Sequence, residues 1–274
     1  MLPPKMTLCL LPWLIFPTVC ETQYRNDAPY SVDNGVIYCE NGIPELPRWF
    51  ADSRLAFQVD EGGIAQVDYY NRVPGQHLAT LFVRQLWDGF RYYLEQGNKT
   101  YKPVYTHSRI WPFGIESEWN FEGTIMKHRV MAIDESIVIQ LVVPDALPAG
   151  LRFKMEFFEA FALTKGSVDD LRYSNGGTTR KWDPWKFAET SNALEGGVTS
   201  YPEVSQNRPN QKPFQTRCMI GADFPMEHSV RPLNPKHILK SPSLEAGKTY
   251  SFIISFDQSH DVLREKNKRR INSI

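Results

Sequence analysis

A chain of 274 residues with 31 Lys and Arg against 31 Asp and Glu has no global field to attract nucleic acid or an anionic bilayer. With 42% hydrophobic and 13% aromatic residues it holds ample material for a packed core, which excludes disorder of the whole chain. Its 20 prolines and 17 glycines are spread throughout and punctuate short elements, favouring many strands joined by turns over long helices.

Residues 1–22 read as a leader. Lys5 precedes an apolar run over 6–16 that is too short to span a bilayer but has the length of a signal core. Pro12 and Pro17 interrupt the run, and Thr18-Val19-Cys20 lacks the small residues a cleavage site prefers. Export, with the segment as a signal, and a cytoplasmic protein, with it as an untranslated or mis-started leader or a short apolar extension packed on the domain, are both open on this reading.

The spacing predicts one antiparallel all-β domain over 23–258. Asn34-Gly35 and Asn41-Gly42 tolerate positive φ and mark tight turns. Leu55, Phe57 and Val59 alternate up to Asp60-Glu61-Gly62-Gly63, after which 64–70 returns as the second arm of a hairpin. Residues 81–87, 90–94 and 100–104 continue in the same style. From 105 to 161 the pattern is a meander: Ile137, Ile139, Leu141 and Val143 alternate with polar and apolar partners, and Leu151, Phe153, Met155 and Phe157 do so after a turn at 144–150. Residues 174–185 and 201–216 read as long exposed loops, where binding groups concentrate on a rigid scaffold. Strands return at 216–222 and 250–256. The segment 259–274 is helical and basic in pattern, the first turns of a linker helix or a tail.

Four cysteines, at 9, 20, 39 and 218, include no Cys-x-x-Cys pair, and no histidines cluster with them, so no metal or cofactor is expected. Cys39 and Cys218 fit two buried thiols, or one disulfide in an exported protein. Ala246-Gly247-Lys248-Thr249 resembles the end of a phosphate loop, but Pro242 stands at the first glycine position and a strand follows. Neither a Gly-x-Ser-x-Gly elbow nor His-Glu-x-x-His occurs.

Glu116 and Glu118, two apart on a strand, lie about 7 Å from each other, a separation that suits paired glycosidase carboxylates and equally an ordinary solvated strand face. Indole rings stack on the C–H face of sugars, which makes Trp49, Trp111, Trp119, Trp182 and Trp185 candidate contacts. Arg180 stands beside the last two, and Pro184 fixes the backbone between them. His107 and His128 are the pair that could meet across strands as acid and base of an isomerase. No residue is marked as catalytic.

The order of motifs, Gly35-Val36-Ile37-Tyr38 with Glu40-Asn41-Gly42, then Ala51-Asp52-Ser53-Arg54-Leu55, then Leu86-Trp87-Asp88-Gly89-Phe90 before Thr100-Tyr101-Lys102-Pro103, resembles the opening domain of cellobiose-phosphorylase-like and related six-hairpin glycoside hydrolases. The resemblance runs from about Ser31 to Phe256. It implies an N-terminal β-supersandwich that precedes a helical linker and an (α/α)6 barrel. In that architecture the barrel carries the catalytic carboxylates, so no catalytic residue is carried over. What the resemblance implies is a module that contacts an oligosaccharide, or docks on a barrel in trans or on a second copy of itself, in a truncated or split enzyme. The competing reading is a stand-alone aldose-epimerase-like isomerase.

Overall fold

The computed structural model describes residues 30–40, 42, 48–73, 76–83, 89–158, 178–188, 192–202, 214–231, 236–257 and 259–273. One sheet contains, in spatial order, β1 (Tyr30–Asp33), β2 (Val36–Cys39), β9 (Tyr105–Trp111), β10 (Gly114–Phe121), β11 (Thr124–Ile133), β12 (Ser136–Val142), β19 (Thr249–Asp257), β16 (Phe214–Ala222), β15 (Ala193–Pro202) and β14 (Thr178–Ala188). The second runs β17 (Glu227–Val230), β18 (Lys236–Ser243), β13 (Leu151–Phe158), β7 (Phe90–Gln96), β5 (Gly63–Val73), β4 (Leu55–Asp60) and β3 (Arg48–Asp52). On it β6 (Gln76–Val83) pairs with β5 and β8 (Lys99–Tyr101) with β7. Every strand pairing among the described residues is antiparallel. The fold is an all-β sandwich, as the alternation predicts.

The core lies between the sheets and is built from the period-two faces. Ile137, Ile139 and Leu141 of β12, with Phe252, Ile254 and Phe256 of β19, meet Leu151, Phe153 and Met155 of β13 and Tyr92 and Leu94 of β7, all fully buried. Phe153 touches Phe252 with ring centroids 5.2 Å apart, and Tyr69 touches Phe256 at 5.5 Å, so aromatic pairs bridge the layers. The predicted meander holds for β9 to β12. It ends at residues 144–150, where the chain crosses to the other sheet, and β13 then faces β12 across the core instead of lying beside it.

Two loop expectations change. Residues 178–185 belong to strand β14, which pairs with β15 from Thr178↔Pro202 to Ala188↔Ala193, with an irregularity between Asp183 and Lys186. That irregularity falls at Pro184, as befits a proline, which has no ladder hydrogen bond to give and is tolerated on an edge strand or at a bulge. Likewise Tyr201 and Pro202 end β15, and 214–216 begin β16. The remainder of both predicted loops, and the leader segment at 1–22, lie outside the described residues.

The helix expected after 259 is present as α1 (His260–Ile271) and lies on the outer face of the first sheet. Leu263 is buried against Met219 and Ala193. Arg264 pairs with Glu195, Lys266 with Glu135 and Arg270 with Asp134, so strand and turn carboxylates hold one side of the helix down. Among the described residues no helix is long and apolar enough to cross a membrane.

Cys39 and Cys218 are both buried. They sit on β2 and β16, six strands apart in one sheet and so separated by roughly 29 Å, which rules out a bond between them.

Where β5 meets β7 the backbones approach closely enough to exclude a Cβ. Gly89 has φ +57, and a methyl group there would run into the Ile64 carbonyl oxygen. Gly89→Ala is therefore expected to cost more than about 2 kcal/mol in urea denaturation. An unchanged midpoint would show that this contact opens freely.

Candidate functional site

On β9 the residues at 107, 109 and 111 point away from the core, and on β10 those at 116, 118 and 120 do, because Ser108, Ile110, Ser117, Trp119 and Phe121 are buried on the inner side. The register aligns Tyr38, Arg109, Glu116 and Arg129 in one transverse row across β2, β9, β10 and β11. Glu116 accepts a hydrogen bond from Arg129 Nε at 2.6 Å and lies 4.0 Å from Arg109 Nη1. The Arg109 guanidinium in turn sits 5.9 Å over the Tyr38 ring.

Trp111 lies next to this row, two residues along β9 from Arg109. Its ring stacks on Phe113, centroids 6.2 Å apart and planes 13° from parallel, and Phe113 is 48% exposed. Gly114, opposite Trp111, is buried. A Cβ there would fall 2.6 Å from the Val130 carbonyl oxygen, so the strand needs glycine to pass against Val130 and Met131. The result is a half-exposed aromatic platform bordered by two arginines and a carboxylate.

The two carboxylates suggested for glycoside chemistry both have side-chain partners. Glu116 is held by Arg129, while Glu118 contacts His107 Nδ1 at 3.0 Å and accepts a hydrogen bond from Thr106 Oγ1 at 3.4 Å. They form a strand face on which each carboxylate is already engaged by a neighbouring side chain.

Trp119 is fully buried, which removes it from any surface and corrects its place among the sugar-contact candidates. His128 is also buried, on the inner face of β11, with Tyr105 Oη 3.1 Å from its Nδ1. Burial pushes its pKa down to about 3. His107 is exposed on the outer face, so the sheet itself separates the two histidines and they do not form an acid–base pair.

Trp185 is half-buried at the open edge of the sandwich. It fills the space above Gly196, meets Phe157 edge-on at 5.2 Å and lies 6.3 Å from His237. Trp182 stands opposite Val198 on β14, and Arg180 opposite Ser200; the side chains of both lie outside the described residues. The structure thus gathers Trp111 into a surface site, assigns Trp119 to the core and places Trp185 between the sheets.

The sequence reading missed Tyr38, Arg109, Phe113 and Arg129. The Trp-Pro-Phe-Gly string was a usable signal for the platform, whereas the arginine row depends on strand register. Also missed was a near-parallel histidine pair on β17 and β18, His228 Nε2 to His237 Nδ1 at 3.0 Å, flanked by Phe187 and Phe157. Among the described residues no three His, Cys, Asp or Glu side chains are grouped to hold a metal ion.

No protein-family model matches the chain, and no curated protein matches it in sequence. Among solved structures it is similar to a family GH92 inverting mannosidase from Bacteroides thetaiotaomicron, at 10% identity and a TM-score of 0.43 over 85% of this chain and 31% of that one. A protein from the human microbiome assigned as a kojibiose phosphorylase gives 10% identity and a TM-score of 0.47 over 90% of this chain and 38% of that one. A family GH92 α-mannosidase from Bacteroides thetaiotaomicron gives 10% and 0.41 over 88% and 32%. The chain spans about a third of the length of each of these proteins.

Proposed function

We propose that this chain is a β-sandwich module of a carbohydrate-active enzyme that binds an oligosaccharide on the outer face of its first sheet, with bond cleavage left to a separate catalytic domain. The observation that carries the reading is the Trp111–Phe113 stack, half-exposed beside Arg109, Glu116 and Arg129. Pyranose rings present an apolar C–H face that stacks on such rings, and hydroxyls on their edges that hydrogen-bond to flanking charged groups. The motif order described for residues 31–256 points the same way, since in the architecture it resembles the catalytic carboxylates belong to a barrel. The isomerase alternative needs an acid–base pair, and its histidines lie on opposite faces of the sheet.

Titration of oligosaccharides into the purified chain tests the proposal. Trp111→Ala and Phe113→Ala are each expected to weaken binding about fivefold, the equivalent of about 1 kcal/mol of stacking. The melting temperature should move by no more than about 2 °C, as for other surface substitutions. Unaltered affinity in both variants would end the proposal.

A further inference from the structure

The charges around the platform do not balance. Glu116 is the single carboxylate in the row, and it faces two guanidinium groups, Arg109 from β9 and Arg129 from β11. Its side chain is only 13% exposed, against 59% for Arg109 and 36% for Arg129. The carboxylate is therefore sunk beneath the cations, where it orients them, and the surface that a ligand meets is guanidinium. Arg129 gives Glu116 its Nε, and no hydrogen bond among the described residues occupies its terminal nitrogens; Arg109 stands at 4.0 Å, beyond hydrogen-bond distance. The adjoining charges do not offset this excess, because Glu118 is engaged by His107 and stands opposite Lys127.

An exposed guanidinium is a planar fork that matches a carboxylate in two parallel hydrogen bonds. Two such forks next to an aromatic platform make a surface for a sugar that carries its own anion. Resting on the module reading above, we infer that the glycan bound here is acidic, a saccharide of uronate units whose ring stacks on Trp111 and whose carboxylate is held by Arg109 and Arg129.

Calorimetric titration of the full chain with short oligomers of galacturonate, glucuronate and mannuronate, each as free acid and as methyl ester, isolates the charge, because esterification leaves the ring in place. At least one free acid is expected to bind about tenfold more tightly than its ester. Raising the salt from 50 to 300 mM should weaken the acid and spare the ester, since exposed charge pairs are screened. Arg109→Gln and Arg129→Gln should each shrink the preference, and the double variant should abolish it, while Trp111→Ala weakens acid and ester alike. Equal affinity for acid and ester, with both sensitive to Trp111→Ala, would overturn the acidic-glycan inference and leave the module reading standing. Absence of binding across the panel would overturn the acidic-glycan inference and leave the module reading to the oligosaccharide titration above, whereas binding indifferent to Trp111→Ala would overturn both.

Discussion

Trp119→Ala is expected to lower the unfolding free energy by about 3–5 kcal/mol, the range for deletion of a large buried aromatic. The ring has no exposed surface and lies at the centre of the sandwich, with centroids of His128 at 5.9 Å, Tyr105 at 6.1 Å and Phe153 at 6.5 Å. Phe153 belongs to the opposite sheet, so truncation opens a void at the interface that joins the layers. Its indole N–H has no hydrogen-bond partner among the described residues, and the contribution is therefore one of packing. A domain stabilised by only about 5–15 kcal/mol would lose a large share of its margin. Trp111→Ala, the same chemical change on the outer face of the same sheet, serves as the control and should leave the urea midpoint nearly in place. A loss below about 1 kcal/mol for Trp119→Ala would mean that the neighbours close the void and that the sheets do not depend on this residue.

The contrast between these two tryptophans shows what the sequence contains and what it withholds. Trp111 pairs with Gly114 across a turn of only Pro112 and Phe113. A turn of that length reverses the parity, so that outward residues are odd-numbered over 107–111 of β9, up to the irregularity beyond which Tyr105 turns inward, and even-numbered on β10. Two tryptophans at odd positions therefore end on opposite faces, which the placement of the turn alone would have revealed. The strands themselves were legible from alternation, as β4, β12 and β13 show, and so was the turn at Asn34-Gly35, whose residues take positive φ.

Strand order was not legible. β12 finds its second partner in β19, over a hundred residues later, and β13 leaves the sheet that its sequence neighbours build. Both follow from non-local burial, which no local pattern encodes. β14 looked like a loop because its threonines, charges and proline lack apolar alternation; as an edge strand it has one neighbour and accommodates Pro184 in an irregularity. The arginine row was hidden for a related reason, since Arg109, Glu116 and Arg129 are unremarkable until the register sets them side by side.

Acidification is expected to destabilise the protein through Glu135, in a window fixed by its surroundings. Glu135 lies at the β11–β12 turn and is buried beneath the β3–β4 turn and α1. It accepts hydrogen bonds from Ser53 Oγ at 2.9 Å, from Arg54 through two nitrogens, and from Lys266 Nζ at 3.2 Å, while its own backbone N–H donates to Asp52 Oδ2 at 3.1 Å. One carboxylate thereby ties together the two sheets and the helix. Burial opposes its ionised form, but the hydrogen bonds from Arg54 and Ser53 and the charge of Lys266 outweigh that and bring its pKa down to about 2. A carboxyl whose folded pKa lies below its unfolded value of 4.5 contributes stability that is complete above the unfolded value and is lost as pH falls through the folded one. The span between the two values amounts to roughly 3 kcal/mol. His128, held neutral by burial, also destabilises the fold in acid, but its window opens higher, from 6.5 down to about 3, so the comparison must be made against a variant that changes Glu135 alone. Glu135→Gln removes the charge and leaves Arg54 and Lys266 without this carboxylate, which should cost about 3–5 kcal/mol at pH 7. In urea denaturations from pH 7 to pH 2.5, the gap between parent and variant should stay constant down to about pH 5 and then close by most of roughly 3 kcal/mol as the parent alone gives up its ionised carboxylate. Curves that remain parallel to the lowest pH would show that Glu135 is not the group that joins sheets and helix.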